Sequence, residues 1–441
     1  MPRKTARRQR NNHAGRTLNS RGRLGYIAIF EGIGVGLVAG LLVSLFRFLI
    51  NEAEDMRDLF IESARQKFTM VLLGIGILVF ISVCIAVIVQ REPMASGSGI
   101  PQIKDELKGK ASSNWIQVII AKFFGGILAI GSGLSLGKED AGIQLGAMAG
   151  KGFSRLTAKK RQQPEEPGEK ESLLMTFGSG AGFSAVFGAP LAGVIFTLEE
   201  LHKNFSKEVL LGTMAAAITA DGVGTYLFGF EPVLSFALDA DEGLPISRIW
   251  MVVLLGLILG ALGVFFNKTV KVCCNLFKGL KPKWIKTVIP FVFLFALAIW
   301  RPEALGGDYG ILETIGHGSL TVKVLLTLLI VKFAFSVISF GSGAPGGIIM
   351  PVIVVGAFVG GIFTEAISPL VGFEKDWAQC FAALGMAGFF SATVKTPITA
   401  IILISEMTGT FSNLFPLSII VLVSYITADG LSGRRSRPIF D

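Results

Sequence analysis

Apolar blocks of about 15 to 25 residues recur along this chain, at 26–50, 70–89, 115–130, 173–198, 250–266, 322–340 and 411–426. A helix rises 1.5 Å per residue, so about 20 apolar residues span a hydrocarbon core of ~30 Å. Blocks of that length, repeated this often, commit the chain to an all-α polytopic membrane fold. The alternation of polar and apolar residues that marks an outer-membrane barrel is absent from them. Composition agrees: 51% of the 441 residues are hydrophobic and 17% charged, more apolar than a soluble domain of this size.

The formal net charge is +9, and its placement carries the information. Lys and Arg crowd residues 1–23, 151–170, 202–207, 268–286 and 433–437, whereas 231–242 is acidic. Basic loops stay on the cytoplasmic side, which puts both termini there. The basic N-terminal arm is read as juxtamembrane and not as a nucleic-acid binder. It is also too long and polar for a cleavable secretion signal, so none is expected. Neither the cysteines (Cys84, Cys273, Cys274, Cys380) nor the histidines (His13, His202, His317) have the spacing of metal ligands. No metal and no cofactor is expected. Glu199, Glu200 and Glu406 have no nucleophile–His pair or metal cluster beside them, which argues against an intramembrane enzyme.

The chain also repeats itself. "GSGLSLGKEDAGIQLGAMAG" from Gly131 aligns without gaps on "GSGAPGGIIMPVIVVGAFVG" from Gly341. Downstream, "FSAVFGAPLAGVIFTLE" from Phe183 aligns on "FSATVKTPITAIILISE" from Phe390, matching Pro190 with Pro397 and Glu199 with Glu406. Two matching blocks in the same order indicate a duplicated unit, and transporters of that construction bind their substrate where the repeats meet. The expected organisation is a basic segment at 1–25, a first half at 26–267, a basic linker at 268–286 and a second half at 287–441. An inverted arrangement of the halves is the natural expectation.

Gly- and Pro-rich turns interrupt the apolar segments at Ser96–Pro101, at Gly131–Gly142 and at Gly341–Pro351. A helix that begins after such a turn starts inside the membrane, where irregular backbone is tolerated only in protein or along a cavity. Its first N–H groups have no intrahelical partner and its dipole adds partial positive charge, so several such ends facing one point hold an anion without a metal. Ser98 offers a hydroxyl beside one of them. The competing reading, that these glycines only let helices pack closely, suits any single motif better than three together. Carboxylate substrates also bind such sites, which keeps an amino-acid transporter as an alternative, along with a cation transporter.

Lys138, Glu139 and Asp140 stand side by side at the centre of the first repeat motif, amid apolar sequence that argues against a solvated loop. An ionised Glu139 competes with a transported anion for the positive helix end; a protonated one leaves it. One side chain thereby links proton movement to anion movement. Glu199 and Glu200 end an apolar helix ahead of basic residues, near the cytoplasmic face, where a proton can enter. Glu406, the mate of Glu199, is expected to be hydrogen-bonded between helices.

At these motifs the sequence resembles the CLC family of chloride channels and chloride/proton antiporters. "GSGIP" (Gly97–Pro101), "GKEDA" (Gly137–Ala141), "GAGFSAVFGAPLAGVIFTLEE" (Gly180–Glu200) and "GSGAPGGIIMP" (Gly341–Pro351) follow in the family's order. The resemblance covers nearly the whole chain. It implies a homodimer in a lipid bilayer, each subunit with its own anion path, in a CLC-like inverted-repeat fold with tilted and broken helices. It implies proton-coupled chloride antiport, with a passive channel as the alternative, in a bacterial plasma membrane. Carried over by position, Ser98, Gly99 and Ile100 hold chloride together with the backbone N–H groups of Ile348 and Ile349. Lys138 flanks the site, Glu139 is the gate, and Glu200 is the internal proton glutamate that antiporters carry. The serine of "GSGIP" implies chloride over nitrate and fluoride.

The chain departs from the pattern where the family usually reads GREGP: Lys138 replaces Arg, Asp140 replaces Gly and Ala141 replaces Pro. A second carboxylate beside the gate alters its protonation or weakens anion binding, or else caps a helix. Phe440 stands in place of the family's chloride-coordinating tyrosine, which removes a donor. The sequence stops just beyond it, so the regulatory domains of many eukaryotic members are not expected.

Overall fold

The computed structural model describes residues 2–157, 168–203, 205–229, 234, 244–282, 284–306, 309–316, 320–372, 377–432 and 439–440, with side chains from Gly25 onward except at 313. The basic segment 1–24, residues 158–167, the acidic stretch 231–242 apart from Leu234, His317 and residues 433–437 lie outside the described side chains. Helices account for nearly everything else, and no strand occurs among the described residues.

The first eight helices are α1 (Pro2–Gln66), α2 (Phe68–Arg91), α3 (Ile100–Leu107), α4 (Trp115–Gly131), α5 (Lys138–Thr157), α6 (Glu169–Phe187), α7 (Pro190–Phe196) and α8 (Lys207–Phe228). A second series follows: α9 (Ile249–Gly279), α10 (Ile285–Trp300), α11 (Tyr309–Gly316), α12 (Val322–Gly341), α13 (Ile349–Val371), α14 (Trp377–Val394), α15 (Pro397–Thr408) and α16 (Leu414–Ser432). Each helix of the second series corresponds to the one eight places earlier. Thus α5 packs along α6 as α13 does along α14, and α1 against α8 as α9 does against α16. This is the expected inverted-repeat fold of broken helices. Among the described residues, seven helices are long and apolar enough to cross a membrane, while α3, α7, α11 and α15 are too short.

The basic segment at 268–286 is not a free linker. Helix α9 continues unbroken to Gly279 and carries Lys268 and Lys271 within it. Its first part packs on α14 and α16, and beyond Lys268 its residues Cys273 and Phe277 lie against Gly341 of α12, so tertiary contact extends the helix past the point where lysines begin to accumulate. By the pairing of equivalent helices, we place the division between the halves ahead of α9.

Small residues set the closest approaches. A Cβ on Gly146 of α5 would run into the Gly178 carbonyl of α6, and one on Gly178 into that of Gly146. The second half repeats this at Gly356 and Gly385. Such contacts bring helix backbones together without a side chain between them, the packing that membrane interiors favour. The turn before α7 uses Gly188 at φ 61°, where the equivalent turn before α15 holds Lys395 at φ 64°.

Candidate functional site

The interrupted segments meet. Gly97, ahead of α3, donates its N–H to the Gly343 carbonyl ahead of α13 at 3.1 Å, and Gly346 donates back to the Gly97 carbonyl at 3.1 Å. Gly137, ahead of α5, and Gly347, ahead of α13, exchange both backbone bonds at 2.8 Å as an isolated antiparallel bridge. The amino ends of α3, α5 and α13 are therefore tied to one another through the turns that precede them. Symmetry completes the arrangement, because Gly306, equivalent to Gly97, donates to Gly133, equivalent to Gly343, at 2.9 Å. Left-handed backbone at Gly97 (φ 62°), Gly133 (φ 105°) and Gly343 (φ 76°) makes these reversals possible, and there a side chain would be strained.

Two buried lysines hold the turns from behind. Lys122 on α4 donates to the Ala95 and Gly97 carbonyls, and Lys332 on α12 to those of Ala304 and Gly306. Both ammonium groups are wholly inside the protein. A buried charge is tolerated only with partners of this kind, and orienting turn carbonyls is what these lysines do. The sequence reading missed them. Their signal was available, since Lys122 and Lys332 stand at the same spacing as Gly131 and Gly341.

Of the residues expected at the site, Ser98, Gly99 and Ile100 are together on the α3 turn. Ser98 is 3% exposed, and its Oγ accepts from Ile100 N at 3.3 Å. Gly99 lies against the amide of Gln144 on α5, whose Nε2 donates to the Met94 carbonyl at 2.7 Å. Glu139, in the first turn of α5, is 1% exposed and its carboxylate lies against Gly137. It is also on the wall of a cavity of about 780 Å³ that Arg47, Asn51, Asp55, Asp221 and Glu406 share. Lys138 lines the same cavity and donates to Asn51 Oδ1 on α1 at 2.8 Å.

Asp140 takes an unexpected position. Its Oδ2 accepts from the backbone N–H of Ile348 at 2.8 Å, so it reaches across the repeat interface to the start of α13. Ile348, the residue preceding α13, and Ile349, its first residue, are fully buried. Of the functions that the sequence leaves open for Asp140, the hydrogen bond shows helix capping, but on the opposite half's helix.

Glu200 belongs to a short π-helical turn, Thr197–His202, and is 3% exposed. Its Oε1 accepts from Lys104 Nζ on α3 at 2.6 Å. Farther along, Glu106 on α3 pairs with Lys151 on α5 at 2.7 Å, with both side chains buried. Lys151 is also 3.9 Å from Glu171 in the first turn of α6, beside Lys170, which pairs with Glu31 near the middle of α1. Glu139 and its cavity lie by Arg47 and Asn51, farther along α1. Phe440 is buried in the same apolar cluster as Ile100, Phe196 and Ile348.

Glu199 and Glu406 form a reciprocal pair of caps. Glu199 accepts from Ile398 N at 3.2 Å and from Thr399 N at 2.9 Å at the start of α15. Glu406 accepts from Leu191 N at 3.0 Å and Ala192 N at 2.8 Å at the start of α7. Glu406 is hydrogen-bonded between helices as expected, and Glu199 has the same function. No group of three or more possible metal ligands occurs among the described residues.

Comparison with known proteins fits this architecture. The family model described as voltage gated chloride channel matches residues 77–429. An H(+)/Cl(-) exchange transporter ClcA from Vibrio campbellii is 30% identical over 421 residues, covering 93% of this chain and 88% of the relative. The protein of the same name from Cronobacter sakazakii is 32% identical over 351 residues, covering 78% of this chain and 73% of the relative. Among solved structures, a slow cyanobacterial Cl-/H+ antiporter superposes with a TM-score of 0.86 at 26% identity, covering 94% of this chain and 96% of its own. A CLC-type fluoride/proton antiporter shares the fold, with a TM-score of 0.74 at 22% identity over 92% of this chain and 95% of its own.

Proposed function

The chain belongs to the voltage gated chloride channel family, the CLC proteins, and from that premise we propose that it exchanges chloride against protons across the membrane. The observation that carries the mechanism is the mutual hydrogen bonding of the turns ahead of α3, α5 and α13. Those turns gather the unsatisfied N–H groups and positive dipole ends of several helices in one buried place, which favours a halide without any full cation. Ser98, Gly99 and Ile100 supply one wall of that site.

Glu139 competes for the same place. Ionised, its carboxylate is drawn to the helix ends and excludes chloride; protonated from the cavity, it loses that attraction and yields. Glu200 takes up protons from the opposite side, beside Lys104. Lys138 acts at the cavity mouth, where its charge draws anions inward. Phe440 offers no hydroxyl, so the inner side of the path depends on the Ser98 hydroxyl and backbone donors. The protein is an integral multi-pass membrane protein. A bacterial plasma membrane, cytoplasmic termini and a homodimer with one path per subunit complete the proposal.

Reconstituted vesicles test it, with chloride and proton movement recorded together. Antiport predicts protons driven uphill by a chloride gradient, and Glu200→Ala stops proton movement while anion flux continues. Rapid chloride efflux without proton movement in the wild type would instead make the protein a passive channel.

A further inference from the structure

Helix α13 begins with its N–H groups facing the repeat interface, yet a carboxyl group from this chain is already there. Asp140 is fully buried, and its Oδ2 accepts from Ile348 N at 2.8 Å. The Oδ1 atom has no hydrogen-bond partner in the protein, although it too is buried. A Cβ on Gly347 would collide with this carboxyl group, so the turn ahead of α13 is shaped around it. Lys122 and Glu139 are the charged groups that act on it. The two adjacent carboxylates divide the bridge between them, Glu139 lying against Gly137 and Asp140 against Gly347.

A capping carboxylate usually serves its own helix. Here it leaves α5 and crosses to the other half, to the kind of N–H donors that bind anions. An oxygen left without a partner in the interior is costly unless something compensates it. Competition with a mobile anion accounts for both features.

We propose that Asp140 is a resident anion at the start of α13, which transported chloride must displace before it can use the Ile348 N–H, and that it thereby sets the protein's chloride affinity. The inference rests on the chloride reading above. It makes Asp140 a specificity-determining residue distinct from Glu139, acting on the second half's helix and not on its own.

Asp140→Asn keeps the shape and one neutral acceptor, whereas Asp140→Gly removes the competitor altogether. Chloride titration calorimetry on detergent-purified, monodisperse protein should give affinities in the order Gly, Asn, wild type, tightest first. Replacing a charge-assisted hydrogen bond by a neutral one corresponds to roughly tenfold tighter chloride binding for Asp140→Asn. A merely structural cap predicts the reverse: lower thermal stability with chloride binding unchanged or weaker, and that result in either folded variant overturns the proposal. Wild-type crystals grown in bromide give a second readout. Anomalous density is expected to be absent at Ile348 N while Asp140 stays bonded there, and a bromide peak at that N–H beside an unmoved Asp140 would also overturn it. Failure of the transport reading looks different, since it shows as absent wild-type flux. A variant that gains chloride binding over a wild type with none still supports Asp140, and equal absence in both refutes it.

Discussion

Removing the Glu406 carboxylate should loosen the contact between the two halves by an amount that the structure lets one work out. Its oxygens accept from Leu191 N at 3.0 Å and Ala192 N at 2.8 Å, both at the start of α7. A hydrogen bond to a charged group contributes about 1.5–3 kcal/mol. The Leu191 bond is at an exposed position and counts for less, so Glu406→Ala should cost about 2–3 kcal/mol. Glu406→Gln keeps one neutral acceptor and should cost about half as much. Glu199 caps α15 with bonds to Ile398 N, Thr399 N and the Thr399 hydroxyl, so Glu199→Ala should cost at least as much as Glu406→Ala. The caps share no hydrogen bond, and the double variant should therefore lose close to the sum. Denaturant unfolding in detergent, followed by tryptophan fluorescence, reads all four variants. Should Glu406→Ala fall within about 0.5 kcal/mol of wild type, the value typical of a neutral surface change, the cap energetics argued here are wrong.

Glu139→Gln mimics the protonated gate permanently; proton flux in vesicles should fall to background while chloride flux persists, and retained coupling would contradict the gate. Glu199→Gln should keep proton coupling and Glu200→Gln lose it, although the residues are neighbours, because only Glu200 pairs with Lys104; simultaneous chloride and pH electrodes separate them. Gly146→Val should abolish monodisperse protein on size exclusion, since a Cβ there already meets the Gly178 carbonyl. Phe440→Tyr restores a donor worth about 1 kcal/mol, or roughly fivefold tighter chloride binding by calorimetry, and unchanged affinity would take Phe440 off the path.

Much of this molecule was legible from residues alone. Most of the apolar blocks became helices because their length and hydropathy are local properties that a bilayer selects directly, but the block at 173–198 is broken at Gly188 into α6 and α7, and the spans α13 and α14 lie outside the blocks. The turns at Gly97, Gly133 and Gly343 could be anticipated because left-handed backbone calls for glycine wherever it occurs. Glu139 in the first turn of α5 followed from its place after such a turn. The duplication likewise paired Glu199 with Glu406 before any contact was known. The stretch read as a basic linker at 268–286 is helical as far as Gly279, where Cys273 and Phe277 pack against Gly341 of α12.

What the sequence determined by itself is most of the spans, the repeat and the three Gly- and Pro-rich breaks, all encoded over a few residues at a time. Only the tertiary structure decided which turns bind one another, that Lys104 meets Glu200, and that Asp140 serves α13 instead of α5. The reason is that a buried polar group must find its partner in space. Residues as far apart in the chain as Asp140 and Ile348 become neighbours only when the two halves close on each other.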